Sequence, residues 1–74
     1  MRLSKQWLWK RIGERIRAER EELHMSQQRL ASRVGLRRTT IVNAEAGKQR
    51  LTVETLILIS KELGIPVSDL VKGF

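Results

Sequence analysis

Arg38, Thr39, Val42 and Asn43 fall close to one side of any α-helix that contains them, and no acid stands among them. They offer a guanidinium, a hydroxyl, a branched apolar group and a carboxamide. Such groups read base-pair edges: Arg makes paired hydrogen bonds to guanine, Asn does so to adenine, and Thr or Val packs on a thymine methyl. Nothing comparable supports catalysis. The chain has no cysteine and one histidine, His24, which excludes a disulfide framework and a zinc module. A Ser-His-Asp triad would need a loop histidine and an aspartate, Asp69, in a terminal cap. The residue types point to recognition, with no cofactor, no metal and no enzymatic activity.

The charge balance suits the same chemistry. Fifteen basic residues stand against eight acidic ones, giving a formal net charge of +7 over 74 residues. A surplus of that size on a small domain marks a polyanionic partner. It is also localised. Arg29, Arg33, Arg37, Arg38, Lys48 and Arg50 fall within residues 25–52, where Glu45 is the sole acid. From residue 53 onward, Lys61 and Lys72 are balanced by Glu54, Glu62 and Asp69. The absence of cysteine, of a secretory signal and of a membrane span leads us to expect a cytoplasmic protein.

Elements must hold these residues, and the apolar spacing is helical almost throughout, with no period-two alternation. Leu8, Ile12, Ile16 and Leu23 make the stripe of a first helix that runs from residue 9, or a few residues earlier, to residue 23. Ser26 reads as the cap of a second helix, 27–34, which buries Leu30, Ala31 and Val34 and ends at Gly35. A third helix spans 38–45 and is closed by Gly47. Thr52 caps a fourth, 53–63, with Val53, Leu56, Ile57, Ser60 and Leu63 as its core stripe. Gly64 and Pro66 end it, and Ser68 caps a short fifth turn to residue 71. The expectation is a compact five-helix, all-α domain over 11–74, with 1–10 as an N-terminal extension or the early part of helix 1.

Residues 27–46, QQRLASRVGLRRTTIVNAEA, have the make-up of two short helices joined by a sharp turn. Ala31 is small where the second helix crosses it, Gly35 permits the turn, and Leu30, Val34, Leu36 and Ile41 fill the angle. Ile41, Ala44 and Thr40 then face inward, and Arg38, Thr39, Val42, Asn43 and Ala46 project outward. A helix presented this way can enter a major groove.

Taken together, IGERIRAEREEL, MSQQRLASRVGL, RRTTIVNAEAGK and LTVETLILISKELGIPVSDL resemble the Cro/phage-repressor (Xre-type) helix-turn-helix family from residue 12 to residue 71. The resemblance implies a lambda-repressor-like fold and a sequence-specific regulator of transcription, a repressor by expectation, that binds double-stranded DNA. It places Arg38, Thr39 and Asn43 at base-reading positions, with Val42 beside them. Backbone contacts would come from Gln27, Arg37, Lys48 and Arg50. Arg20 and Glu45 match a pair that is mainly structural in several family members. Three positions depart from the pattern. His24 stands where glycine is frequent, Ala44 where a large side chain is usual, and Arg37 in place of a small hydroxylic cap.

Most such regulators bind as two-fold dimers, and the near-neutral, apolar-rich segment after residue 53 is the natural contact. Leu58, Ile65, Val67 and Trp9 are the candidate interface for a second copy or for a partner protein. Trp7 and Trp9, two residues apart on a helix, cannot both face the core. Two other readings fit parts of the chain. One is an antitoxin-type module that binds a toxin or co-regulator and regulates itself through the same domain; the other is a basic N-terminus lying on an anionic membrane. Neither accounts for the turn and the groove face together, and no membrane partner is expected.

Overall fold

The computed structural model describes residues 5–71; residues 1–4 of the expected N-terminal segment and residues 72–74 lie outside the described residues. Five helices follow in order: α1 (Gln6–Glu22), α2 (Gln27–Val34), α3 (Arg38–Glu45), α4 (Val53–Leu63) and α5 (Val67–Leu70). The helix starts are set by chemistry legible along the chain. The Ser26 hydroxyl accepts from the Arg29 amide at 3.0 Å, and the Thr52 hydroxyl accepts from the Thr55 amide at 3.1 Å. Each satisfies an amide that has no partner within its own helix.

One core serves all five helices. It comprises Ile12 and Ile16 of α1, Leu30 and Ala31 of α2, Ile41 of α3, Leu56, Ile59 and Leu63 of α4, and Leu70 of α5. Ile16, Leu30, Ile41, Ile59 and Leu70 are sealed from solvent. Each such side chain contributes roughly 1.5–3 kcal/mol by leaving water. In a chain without cysteine, that burial is what holds short helices together.

The structure corrects several expectations about the core. Val53 is 71% exposed, because it begins α4 in a turn that runs past the packed layer, and Ile57 is flanking and also exposed. The buried stripe of α4 is Leu56, Ile59, Ser60 and Leu63, spaced i, i+3, i+4 and i+7. Ile59, absent from the expected stripe, therefore belongs to the core. Leu23 is exposed because α1 ends before it, at Glu22. Ser68 does not cap the fifth helix: Pro66 precedes its first residue with φ −70° and ψ 150°, and Ser68 lies inside it. The proline ring fixes φ near the value found there.

Candidate nucleic-acid interface

The turn between α2 and α3 places the candidate residues. Gly35 has φ 75°, a left-handed conformation that side chains with a Cβ resist. The Leu36 amide then donates back to the Ala31 carbonyl at 2.8 Å, so the chain reverses within three residues of α2 and enters α3 at Arg38. Ala31 and Ile41 are fully buried where the two helices cross.

On α3, Ile41 and Ala44 point into the protein, and Thr40 is half-buried. Arg38, Thr39, Asn43 and Ala46 are exposed, and Val42 is half-buried beside them. Arg37, Lys48 and Arg50 are exposed as well. The Lys48 amide donates to the Asn43 carbonyl at 2.9 Å, which fixes the chain leaving α3 to the last turn of that helix. The base-reading candidates and the flanking cations thus stand on one ridge and its two ends. Arg37 occupies the cap position of α3 without a side-chain cap bond, so that helix start lacks the stabilisation seen at Ser26 and Thr52.

The only acid of the basic segment is hidden. Glu45 is 8% exposed and receives Arg20 through two nitrogens, Nε to Oε2 at 2.6 Å and Nη2 to Oε1 at 2.9 Å. Arg20 Nη1 also donates to the Met25 carbonyl at 2.6 Å, and the Gln27 carboxamide donates to Glu45 Oε1 at 3.1 Å. The hydrogen bonds that Arg20 donates to the Glu45 carboxylate raise its pKa above the ordinary value despite partial desolvation. Two-pronged pairing suits the planar guanidinium and orients both partners. One charge-neutral cluster therefore joins α1, the α1–α2 loop, the start of α2 and the end of α3. It also removes a carboxylate that would repel phosphate.

Gln27, expected at the DNA backbone, sits half-buried at the edge of this cluster with one N–H committed to Glu45. Gly13, passed over in the sequence, supports the ridge from behind, and Arg33, counted there among the basic residues, is paired with an acid of α4. Gly13 of α1 packs on the backbone of α3 so closely that an added Cβ would overlap the Ala44 carbonyl oxygen. Its only sequence signal is a glycine inside a helical pattern, which marks close packing as often as a weak point. Arg33 pairs through Nε with Glu62 Oε1 at 2.6 Å, fastening α2 to α4 across its exposed edge.

The candidate interface residues divide. Leu58 is 46% and Val67 37% exposed, and Ile57 and Val71 join them as exposed apolar side chains. Ile65 and Trp9 are half-buried against the core, and Trp7 is the exposed tryptophan. Among the described residues no helix is long and apolar enough to cross a membrane, and no group of three or more His, Cys, Asp or Glu could hold a metal ion.

Comparison with known proteins extends this picture. A helix-turn-helix family model matches residues 16–70. The chain is 35% identical over 66 residues to an uncharacterized transcriptional regulator in the ATPase CF(0) region of Rhodospirillum rubrum, covering 84% of this chain and 61% of that protein. It therefore spans about three-fifths of that relative's length. It is 36% identical over 59 residues to the control protein C.SmaI of Serratia marcescens, covering 80% of this chain and 70% of that one. Among solved structures it superimposes on the P22 c2 repressor in complex with a synthetic operator, with a TM-score of 0.79 and 35% identity over 85% of this chain and 96% of that chain.

Proposed function

The chain belongs to the helix-turn-helix family of phage repressors and restriction-modification control proteins, and we propose that it is a sequence-specific, double-stranded-DNA-binding regulator of transcription whose α3 enters the major groove. The observation that carries the reading is an exposed ridge of Arg38, Thr39 and Asn43, flanked by Arg37, Lys48 and Arg50, whose one nearby acid is buried against Arg20. Cations at the ends of the ridge release counterions from phosphate and supply salt-sensitive affinity, while the centre supplies selectivity. The likeness to a repressor bound to its operator supports the same docking and a repressive outcome.

One such domain covers few base pairs. We assign to it a two-fold dimer on a palindromic operator, with half-sites about 34 Å apart. The exposed Leu58 and Val67, together with the half-buried Ile65 and Trp9, are the residues we assign to that contact. Sedimentation should show a dimer that Leu58→Glu converts to monomer; a wild-type protein monomeric on a palindromic duplex would remove the dimer.

The whole proposal is tested by selecting bound duplexes from a random pool. Enrichment of a short motif supports sequence-specific binding. Retention of every sequence alike would reduce the protein to a non-specific DNA binder, and no retention would end the reading.

A further inference from the structure

The first turns of α1 lie beside the exit of α3, outside the segment that the family model matches. Gly47 meets them so closely that an added Cβ would lie 2.7 Å from Lys10 Cα. In front of this contact opens a cleft of about 440 Å³, lined by Gln6, Trp7, Lys10, Ala46 and Gly47. Ala46 follows Val42 and Asn43 at i+4 and i+3, so it continues the outward line of α3. The reading ridge therefore runs directly into the cleft.

The lining has the chemistry of a backbone contact. Lys10 supplies an ammonium beside the side chains of Gln6 and Trp7, and no carboxylate lines the cleft. Lys48, next in sequence to Gly47, is an exposed cation. Among the described residues no ion pair engages Lys10, whereas Arg15, Arg17, Arg20 and Arg33 each hold a carboxylate. Trp7 is 57% exposed at the edge of the cleft.

We infer that this cleft takes the sugar–phosphate backbone of the duplex flanking the bases read by α3. Lys10 meets a phosphate, and Trp7 closes over the adjoining sugar. The inference rests on the DNA-binding reading above and lengthens its footprint by a contact that the family-matched residues do not supply. Continuity with the ridge and the sign of the charge favour nucleic acid over a protein partner as the occupant.

The test uses the full chain, a duplex selected from a random pool, and the same duplex trimmed from each end one base pair at a time. Lys10→Ala should weaken binding to the long duplex about five- to tenfold at 0.1 M salt, the contribution of one released counterion. It should lower the salt slope by about one, with Lys10→Arg restoring both. Wild type and Lys10→Ala should converge on the duplex trimmed past the flank, and thermal melting should be the same for both proteins. Equal affinity on the long duplex, or the same loss on long and trimmed duplexes, would overturn the inference while leaving Asn43→Ala to report on α3 separately. Failure of the wild-type protein to bind any duplex would overturn the underlying reading as well.

Discussion

Arg20 and Glu45 are 25 positions apart in sequence, yet Arg20 Nε lies 2.6 Å from Glu45 Oε2 and the pair is buried. The side chains are 10% and 4% exposed, so the pair bridges the end of α1 and the last turn of α3 in a setting from which water is largely excluded. Its position fixes the angle at which α3 is presented, and its neutrality keeps the exposed side of that helix free of negative charge.

Arg20→Ala should therefore destabilise the fold by about 3–5 kcal/mol, because Glu45 would keep its burial and lose its compensating charge. Urea denaturation measures this directly. Arg20→Met combined with Glu45→Met should cost less than Arg20→Ala alone, since no isolated charge is left behind.

Arg37→Ser should act in opposite directions on stability and on binding. A serine at the cap of α3 can accept an amide as Ser26 does for α2, which is worth about 0.5–2 kcal/mol. The same change removes a cation at the end of the ridge. Melting temperature should rise while affinity for every duplex falls; a gain in both would show that Arg37 does not face DNA.

His24 is the described non-glycine residue with positive φ, at 54°. The Met25 amide donates past it to the Arg20 carbonyl at 3.1 Å, so the conformation is imposed by the way α1 ends. A left-handed L-residue costs roughly 1–2 kcal/mol, partly offset by the greater freedom of glycine when unfolded. His24→Gly should raise stability by about 1 kcal/mol on the same grounds, with DNA binding unchanged.

Gly13→Ala should do the reverse. The added methyl meets the backbone of α3 at Ala44 and Glu45, which cannot move aside as a flexible side chain would. Overpacking of this kind costs about 1–3 kcal/mol. Because the displaced element is α3, specific DNA binding should fall beyond what lost stability explains, checked by titration well below the melting temperature.

Much of this architecture was readable from residue types. Helices α2 and α4 begin and end where Ser26, Gly35, Thr52 and Gly64 place them, because capping and left-handed turns are local chemistry. The outward face of α3 followed from periodicity around Ile41 and Ala44. What escaped depends on where each helix meets the others. Val53 has the right phase for the core and still lies in water, since α4 starts beyond its neighbours, while Ile59 is buried and Ile57 is exposed. The bond from Gln27 to Glu45, the seat of Gly13 on α3 and the contact of Gly47 with Lys10 join segments distant in sequence. No periodicity encodes them.

The most direct test concerns the tip of the ridge. Affinity for a selected duplex and for a random one should be measured at several salt concentrations for wild type, Asn43→Ala and Lys48→Ala. Loss of one good base contact should cost Asn43→Ala about 1–3 kcal/mol on the selected duplex alone, whereas Lys48→Ala should weaken both duplexes and lower the salt slope by about one. Equal losses on the two duplexes for Asn43→Ala would contradict the claim that α3 reads sequence.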